Sequence, residues 1–312
     1  MNAHSLRRTC VCALAVALWL ASAISSARAA EETLTVAFAG SMGHVMNQVI
    51  GPAFGKLHHV EFRGVGQGSY ALARLLISQQ MRADVFVSVT PGPMKLVIES
   101  GLAREATPIA STEMVIAYSA KSRFARDFEA AARGAAQWHR ILQAPGLRFG
   151  RTDPVTDPQG RNIIFSAILA AAYYGQPDLA RKILGDYQNP AQIFAEPALL
   201  SRLEAGQLDA ASSYRSNAES HHVPYVRLPD EVNLSNPKFA GSWYSRAEFS
   251  LPASNGDQHS LKPEPLVFYA APLADAADSE TAHKFVAYLA GADAQRMLRD
   301  SGYGPPSGSG LQ

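Results

Sequence analysis

Two Asp-Pro pairs stand four residues apart in Phe149-Gly150-Arg151-Thr152-Asp153-Pro154-Val155-Thr156-Asp157-Pro158-Gln159-Gly160-Arg161, after an apolar run and ahead of a helical pattern. Such a loop feeds a helix N-terminus, where the first N–H groups have no partner and the dipole is partly positive. It is therefore a natural seat for an anion. Carboxylates in that seat would repel a simple anion, so they suit a ligand with an electron-poor centre of its own. A second acidic stretch, Leu228-Pro229-Asp230-Glu231-Val232-Asn233-Leu234, lies downstream. Taken singly, Asp157 reads equally as an Asx turn or helix cap and Glu231 as a solvated loop acid.

Three polar loops follow strand-like runs. Ala39-Gly40-Ser41 closes one strand and opens a helix, so Ser41 can cap that helix with its hydroxyl and N–H toward a cleft. In Gly66-Gln67-Gly68-Ser69 the glycines let backbone N–H groups approach a ligand, and Ser88 ends a third strand. Motifs for other chemistry are missing. There is no His-Glu-x-x-His, no Gly-x-x-x-x-Gly-Lys-Ser/Thr and no Gly-x-Ser-x-Gly nucleophile elbow. An exported hydrolase using Ser41 or Ser69 with a histidine would need that elbow. His58-His59 and His221-His222 are adjacent pairs, which in a strand point to opposite faces.

The elements that must position these loops alternate strand and helix. Strands are predicted at Thr33 to Ala39, His59 to Gly64 and Ala83 to Val89, with helices after the first two, the second over Tyr70 to Gln80. That repetition is the pattern of a parallel sheet with covering helices, whose ligands lie beyond the carboxyl ends of the strands. Met114 to Tyr118 reads as a strand leaving this unit. A second alternation follows, with helices over Ala125 to Leu142, Ile163 to Tyr174, Leu179 to Tyr187 and Leu199 to Ala205. Its strands fall at Leu147 to Gly150, Leu208 to Tyr214 and Tyr225 to Leu228. Residues 253–264 read as a surface connection, Leu266 to Ala271 as a last strand, and Ala282 to Leu289 and Ala294 to Leu298 as closing helices. The fold class expected is α/β, with two lobes: residues 30–117 plus 273–312, and residues 118–272.

At the N-terminus, Arg7 and Arg8 precede an uncharged run, and Ala27-Arg28-Ala29 is a small-x-small cleavage site. Residues 1–29 therefore read as a cleaved secretory signal, which places the mature chain outside the cytoplasm. Both cysteines, Cys10 and Cys12, lie within it. The signal holds three arginines and no acid, so 28 basic residues against 27 acidic fall to 25 against 27 in the mature chain. That balance suggests neither nucleic acid nor anionic lipid as a partner. An anion receptor of this charge works through local dipoles.

Together these loops resemble the tungstate/molybdate-binding proteins of ABC importers, over nearly the whole exported chain. The family's Asp-Pro-Cys-Gly-Tyr-Arg motif is matched by Asp157-Pro158-Gln159-Gly160-Arg161-Asn162, which keeps Asp, Pro and Gly but has Gln159 in place of the cysteine and differs at the last two positions. Its Leu-Pro-Asp-Glu-Ile-Asn-Leu motif is matched by Leu228 to Leu234. The resemblance implies a type II periplasmic-binding-protein fold with a ligand cleft between hinged lobes. It implies a ligand set of Gly40, Ser41, Ser69, Asp157, Pro158, Gln159, Glu231 and Tyr244, with Asp157 and Glu231 donating to the metal centre of the bound oxyanion. Carboxylate oxygens suit such a hard centre and would raise its coordination from four toward six. Sulfate has no empty shell to accept them. The implied role is a periplasmic, monomeric, non-enzymatic binding component that delivers the oxyanion to a membrane permease, with no cofactor and no membrane contact except through that permease. The alternative is a receptor for another small anion such as sulfate, whose mark would be a site without paired loop acids.

Overall fold

In the computed structural model, which describes residues 32–252 and 258–312, the chain forms two α/β lobes. The N-terminal segment read as a signal lies outside the described residues. The first lobe opens with β1 (Thr33–Ala39), a 3₁₀ turn at Gly40–Met42, a π-helical stretch at Val45–Ile50 and α1 (Gly51–His58). It continues through β2 (Glu61–Gln67), α2 (Ser69–Ile77), β3 (Val85–Val89), α3 (Pro91–Glu99) and β4 (Thr107–Ser111). Successive strand side chains point to opposite faces. Leu34, Val36 and Phe38 of β1 accordingly join one core layer while Ala37 joins another with Phe86. The central strands are covered on both sides, which explains their unbroken apolar runs.

The second lobe comprises β5 (Met114–Tyr118), α4 (Ala125–Ala132), α5 (Trp138–Ile141), β6 (Phe149–Gly150), α6 (Pro158–Tyr173), α7 (Leu179–Leu184), α8 (Glu196–Glu204), β7 (Ala210–Tyr214), α9 (Arg215–Ser220) and β8 (Tyr225–Arg227). An antiparallel arm, β9 (Phe249–Pro252) with β10 (Gln258–Leu261), follows. The chain then returns through β11 (Val267–Pro272), α10 (Ser279–Ala290) and α11 (Ala292–Asp300).

The first sheet runs in the order β2-β1-β3-β11-β4 and the second β6-β7-β5-β8. In the first, β1 is parallel to β2 and β3, while β11 is antiparallel to β3 and β4. This is the type II arrangement expected. The lobe boundaries differ from those read in the sequence. Met114–Tyr118 pairs with β7 and β8, so it belongs to the second lobe, and Val267–Pro272 pairs with β3 and β4, so it belongs to the first. A fully buried apolar strand carries no mark of which sheet it joins. The crossings are the polar stretches before each strand, Thr112-Glu113 and residues 262–266, which touch where Thr112 N–H donates to the Leu266 carbonyl at 3.0 Å.

Other differences have local causes. The helix expected over Ala125 to Leu142 is two helices, because Gly134 turns left-handed (φ 76°) and ends the first. α6 begins at Pro158 rather than Ile163, since proline with no N–H fits the first helical position behind an Asp cap. Residues 258–261, read as part of a surface connection, form β10; residues 253–257 lie outside the described residues.

One buried acid fastens the first lobe. Asp84 accepts from Thr35 N–H through Oδ2 and from Ala277 N–H through Oδ1, each at 2.7 Å, tying β1 to the turn before α10. Asp84→Ala should lower stability by about 1–3 kcal/mol by stranding both donors. Urea unfolding measures this as a lower midpoint with unchanged slope; an unchanged midpoint would show the tie to be dispensable.

Candidate functional site

The 3₁₀ turn after β1 brings Gly40 and Ser41 to the carboxyl edge of the first sheet. Ser41 is fully buried, and its carbonyl accepts from Tyr303 Oη at 3.1 Å. Ser69 starts α2, and its Oγ accepts from Val89 N–H at 3.2 Å, so its hydroxyl proton remains free to donate. Ser88 is spent locally, donating to the Thr90 carbonyl at 3.1 Å.

From the second lobe, Asp157 caps α6 and accepts from Gln159 N–H at 2.8 Å. Gly68 meets it from the first lobe: a β-carbon there would stand 2.6 Å from the Thr156 carbonyl and 3.1 Å from Asp157 Cβ, so only glycine allows this approach. Burial pushes the Asp157 carboxyl up to about 6, against the opposing pull of Gln159 N–H, Thr152 and Arg161. Pro158 begins the helix, and Gln159 Nε2 donates to the Ser212 carbonyl at 3.2 Å while its Oε1 is buried without a partner.

The acid facing Asp157 is Glu196, the first residue of α8, and not Glu231. A β-carbon on Gly40 would lie 2.3 Å from Glu196 Oε2, so the carboxylate rests directly on the Gly40-Ser41 turn. Its proton affinity is raised well above the usual range, first by burial and then by the charge of Asp157. Ser41 and the N–H groups of Ser41 and Gly40 pull it back. Tyr214, fully buried at the end of β7, accepts from Asn162 Nδ2 at 3.0 Å. Burial raises the Tyr214 hydroxyl strongly, and the charges of Asp157 and Glu196 raise it further. The enclosed set is thus Gly40, Ser41, Asp157, Glu196 and Tyr214, with Ser69 on the neighbouring turn.

Glu231 and Tyr244 lie elsewhere. The Glu231 carbonyl accepts from Trp243 Nε1 at 2.7 Å, and its carboxylate acts on the hydroxyls of Tyr174 and Tyr244. Tyr174 caps the C-terminal end of α6, whereas Asp157 caps the N-terminal end, about 24 Å away at 1.5 Å per residue. Tyr244 donates to the Asp230 carbonyl and accepts from Asn236 N–H. The Leu228 to Leu234 segment braces the crossing instead. Asn233 Nδ2 donates to Glu113 Oε2 at 3.0 Å, Met114 N–H donates to the Asn233 carbonyl at 2.9 Å, and Glu113 pairs with Arg227 and Arg215. Glu196 and Tyr214 escaped the sequence reading because an acid in the first turn of a helix is commonplace. A tyrosine ending an apolar strand reads as core. Among the described residues, no group of three or more His, Cys, Asp or Glu converges as a cage for a bare cation.

Two α/β lobes closing polar strand ends around a buried site define a solute receptor of the periplasmic-binding-protein class. The chain belongs to the bacterial extracellular solute-binding protein family, whose model matches residues 34–304. It is 28% identical to the molybdate/tungstate-binding protein WtpA of Thermococcus kodakarensis over 78% of this chain and 72% of that one. A putative ABC transporter molybdenum-binding protein of Haloferax volcanii is 30% identical over 70% of this chain and 67% of the other. Among solved structures, the Azotobacter vinelandii periplasmic molybdate-binding protein shares the fold, with a TM-score of 0.59 at 16% identity over 88% of this chain and all of that one. The sulfate-binding protein SubI of Mycobacterium tuberculosis does so equally, with a TM-score of 0.59 at 14% identity over 88% and 87%.

The raised Asp157 carboxyl gives the empty protein a signature. An acid that binds its proton more tightly folded than unfolded contributes stability at low pH. That contribution fades as pH rises from about 4 toward 6. Asp157→Asn keeps the cap and removes the charge. Relative to wild type it should gain stability between pH 4 and 7, by up to about 3 kcal/mol. Urea midpoints at four pH values measure this; a pH-independent difference would contradict it.

Proposed function

We propose that this chain captures tungstate or molybdate between its lobes and delivers it, unchanged, to the permease of an ABC importer. The observation that carries the reading is the enclosed pair Asp157 and Glu196, the latter resting on the Gly40-Ser41 turn. Two carboxylates side by side are a poor receptor for a purely oxygen-faced anion. They are good donors to a hexavalent metal centre with empty shell positions. Asp157 and Glu196 hold the metal centre, while the hydroxyls of Ser41 and Ser69 and the N–H groups of Gly40 and Ser41 hold its oxo atoms. Asp157 comes from one lobe and Ser41 from the other, so the bound ligand itself completes the bridge between them. The names of the relatives support this cargo, and the secretory pattern at the N-terminus supports a periplasmic site of action for a monomeric receptor. Gln159 and Pro158 shape the wall behind Asp157. No catalytic group is assigned.

Calorimetry with tungstate, molybdate, sulfate and phosphate tests the reading. Tungstate or molybdate should bind tightly and sulfate weakly, and tight sulfate binding without response to tungstate would overturn it. Glu196→Gln and Asp157→Asn should each weaken tungstate binding by about 2–5 kcal/mol, as for losing one side of a buried charged contact. Glu231→Gln should leave it within about twofold of wild type, given its distance. If Glu231→Gln abolishes binding while Glu196→Gln does not, the pairing is wrong.

A further inference from the structure

Arg161 occupies an unusual position one turn into α6. It belongs to the second lobe, yet its guanidinium carbon lies 3.6 Å from the ring centroid of Tyr70 on α2 of the first. Its Nε donates to the Pro154 carbonyl at 2.8 Å, which fixes the guanidinium plane over that ring. Besides Tyr70, the groups acting on its charge are Glu264, Arg74 and Asp157. Glu264 sits on the crossing that returns to the first lobe and accepts from Gly92 N–H at 3.2 Å, at the start of α3. Tyr70, Thr90, Pro158, Arg161, Lys262 and Glu264 share a cavity of about 180 Å³. Thr90 holds a positive φ of 63° that is strained for a branched residue.

The acids around this cleft, Asp153, Asp157, Glu196 and Glu264, oppose an incoming dianion. Arg161, half-buried and planar, is set among them, with Arg74 nearby and Lys262 on the wall of the same cavity. A guanidinium stacked on a tyrosine of the other lobe is also a lobe-to-lobe contact. We propose that Arg161 is the cross-lobe positioning residue of the oxyanion site: its charge draws the dianion into an acid-lined cleft, and its stack on Tyr70 holds the lobes closed. This rests on the tungstate/molybdate reading above.

Stopped-flow association and dissociation rates for tungstate, at several ionic strengths, separate the two roles. Arg161→Gln removes charge and stack, Arg161→Lys keeps the charge but loses the planar stack, and Tyr70→Leu removes the ring from the opposite lobe. Arg161→Gln should slow association about tenfold at low salt and flatten its salt dependence, whereas Arg161→Lys should associate within about twofold of wild type. Dissociation should quicken about threefold to thirtyfold in all three variants. Wild-type association and salt dependence in Arg161→Gln would overturn the steering role. Wild-type dissociation in both Arg161→Lys and Tyr70→Leu would overturn the latch. A wild-type protein that fails to bind tungstate at all would instead overturn the ligand reading. Because the stack is probed from both lobes, a folding defect in one variant leaves the other to decide.

Discussion

Two carboxylic acids enclosed side by side cannot both ionise cheaply, and much of this fold is arranged around that constraint. Burial raises the proton affinity of Asp157 and Glu196, and the charge of Asp157 raises that of Glu196 again. The fold partly offsets this with oriented donors: Gln159 N–H at the start of α6, and Ser41 with the Gly40 and Ser41 N–H groups after β1. Positive ends of helices and turns are where such donors come free of partners. A ligand bringing a highly charged metal centre would relieve the remaining cost, which is why an acid-lined site suits this cargo and not a simple anion.

The constraint also explains the lobe contacts. Glycines at 40 and 68 let main chain approach to within side-chain distance of Glu196 and Asp157. Ala71 N–H donates across the cleft to the Thr156 carbonyl at 3.1 Å, and Tyr303 reaches back to the Ser41 carbonyl. His44 of the first lobe meets His221 of the second with ring centroids 5.4 Å apart. Further contacts join the lobes, polar where Arg215 Nη2 donates to the Gly302 carbonyl and aromatic where Tyr214 meets Phe268, while the crossing at Thr112-Glu113 is braced by Asn233 and Arg227.

Local pattern made the architecture legible. The strand, loop and helix repeats, Ser41, Ser69 and the Asp157 cap all follow from period, turn residues and the Asp-Pro pair. The lobe boundaries were not legible, because Met114–Tyr118 and Val267–Pro272 are buried apolar strands that would suit either sheet. The acid that faces Asp157 was not legible for a different reason. Motif agreement at Leu228 to Leu234 pointed to Glu231, but that segment braces the Glu113 crossing through Asn233. Glu196 lies in an unremarkable Phe-Ala-Glu-Pro-Ala sequence, and only the tertiary path of α8 carries it onto Gly40. Which carboxylate meets Asp157 is a property of how β1 and α8 face each other across the cleft, and no spacing along the chain encodes it.

Direct coordination of the metal centre by Asp157 and Glu196 is the central claim, and X-ray absorption at the tungsten edge of the protein–tungstate complex tests it most directly. An expanded shell is expected, with the four short oxo distances joined by two longer oxygen distances from the carboxylates, one of which is lost in Glu196→Gln. A shell unchanged from free tetrahedral tungstate in the tightly bound complex would show that the site works by hydrogen bonding alone and would contradict it.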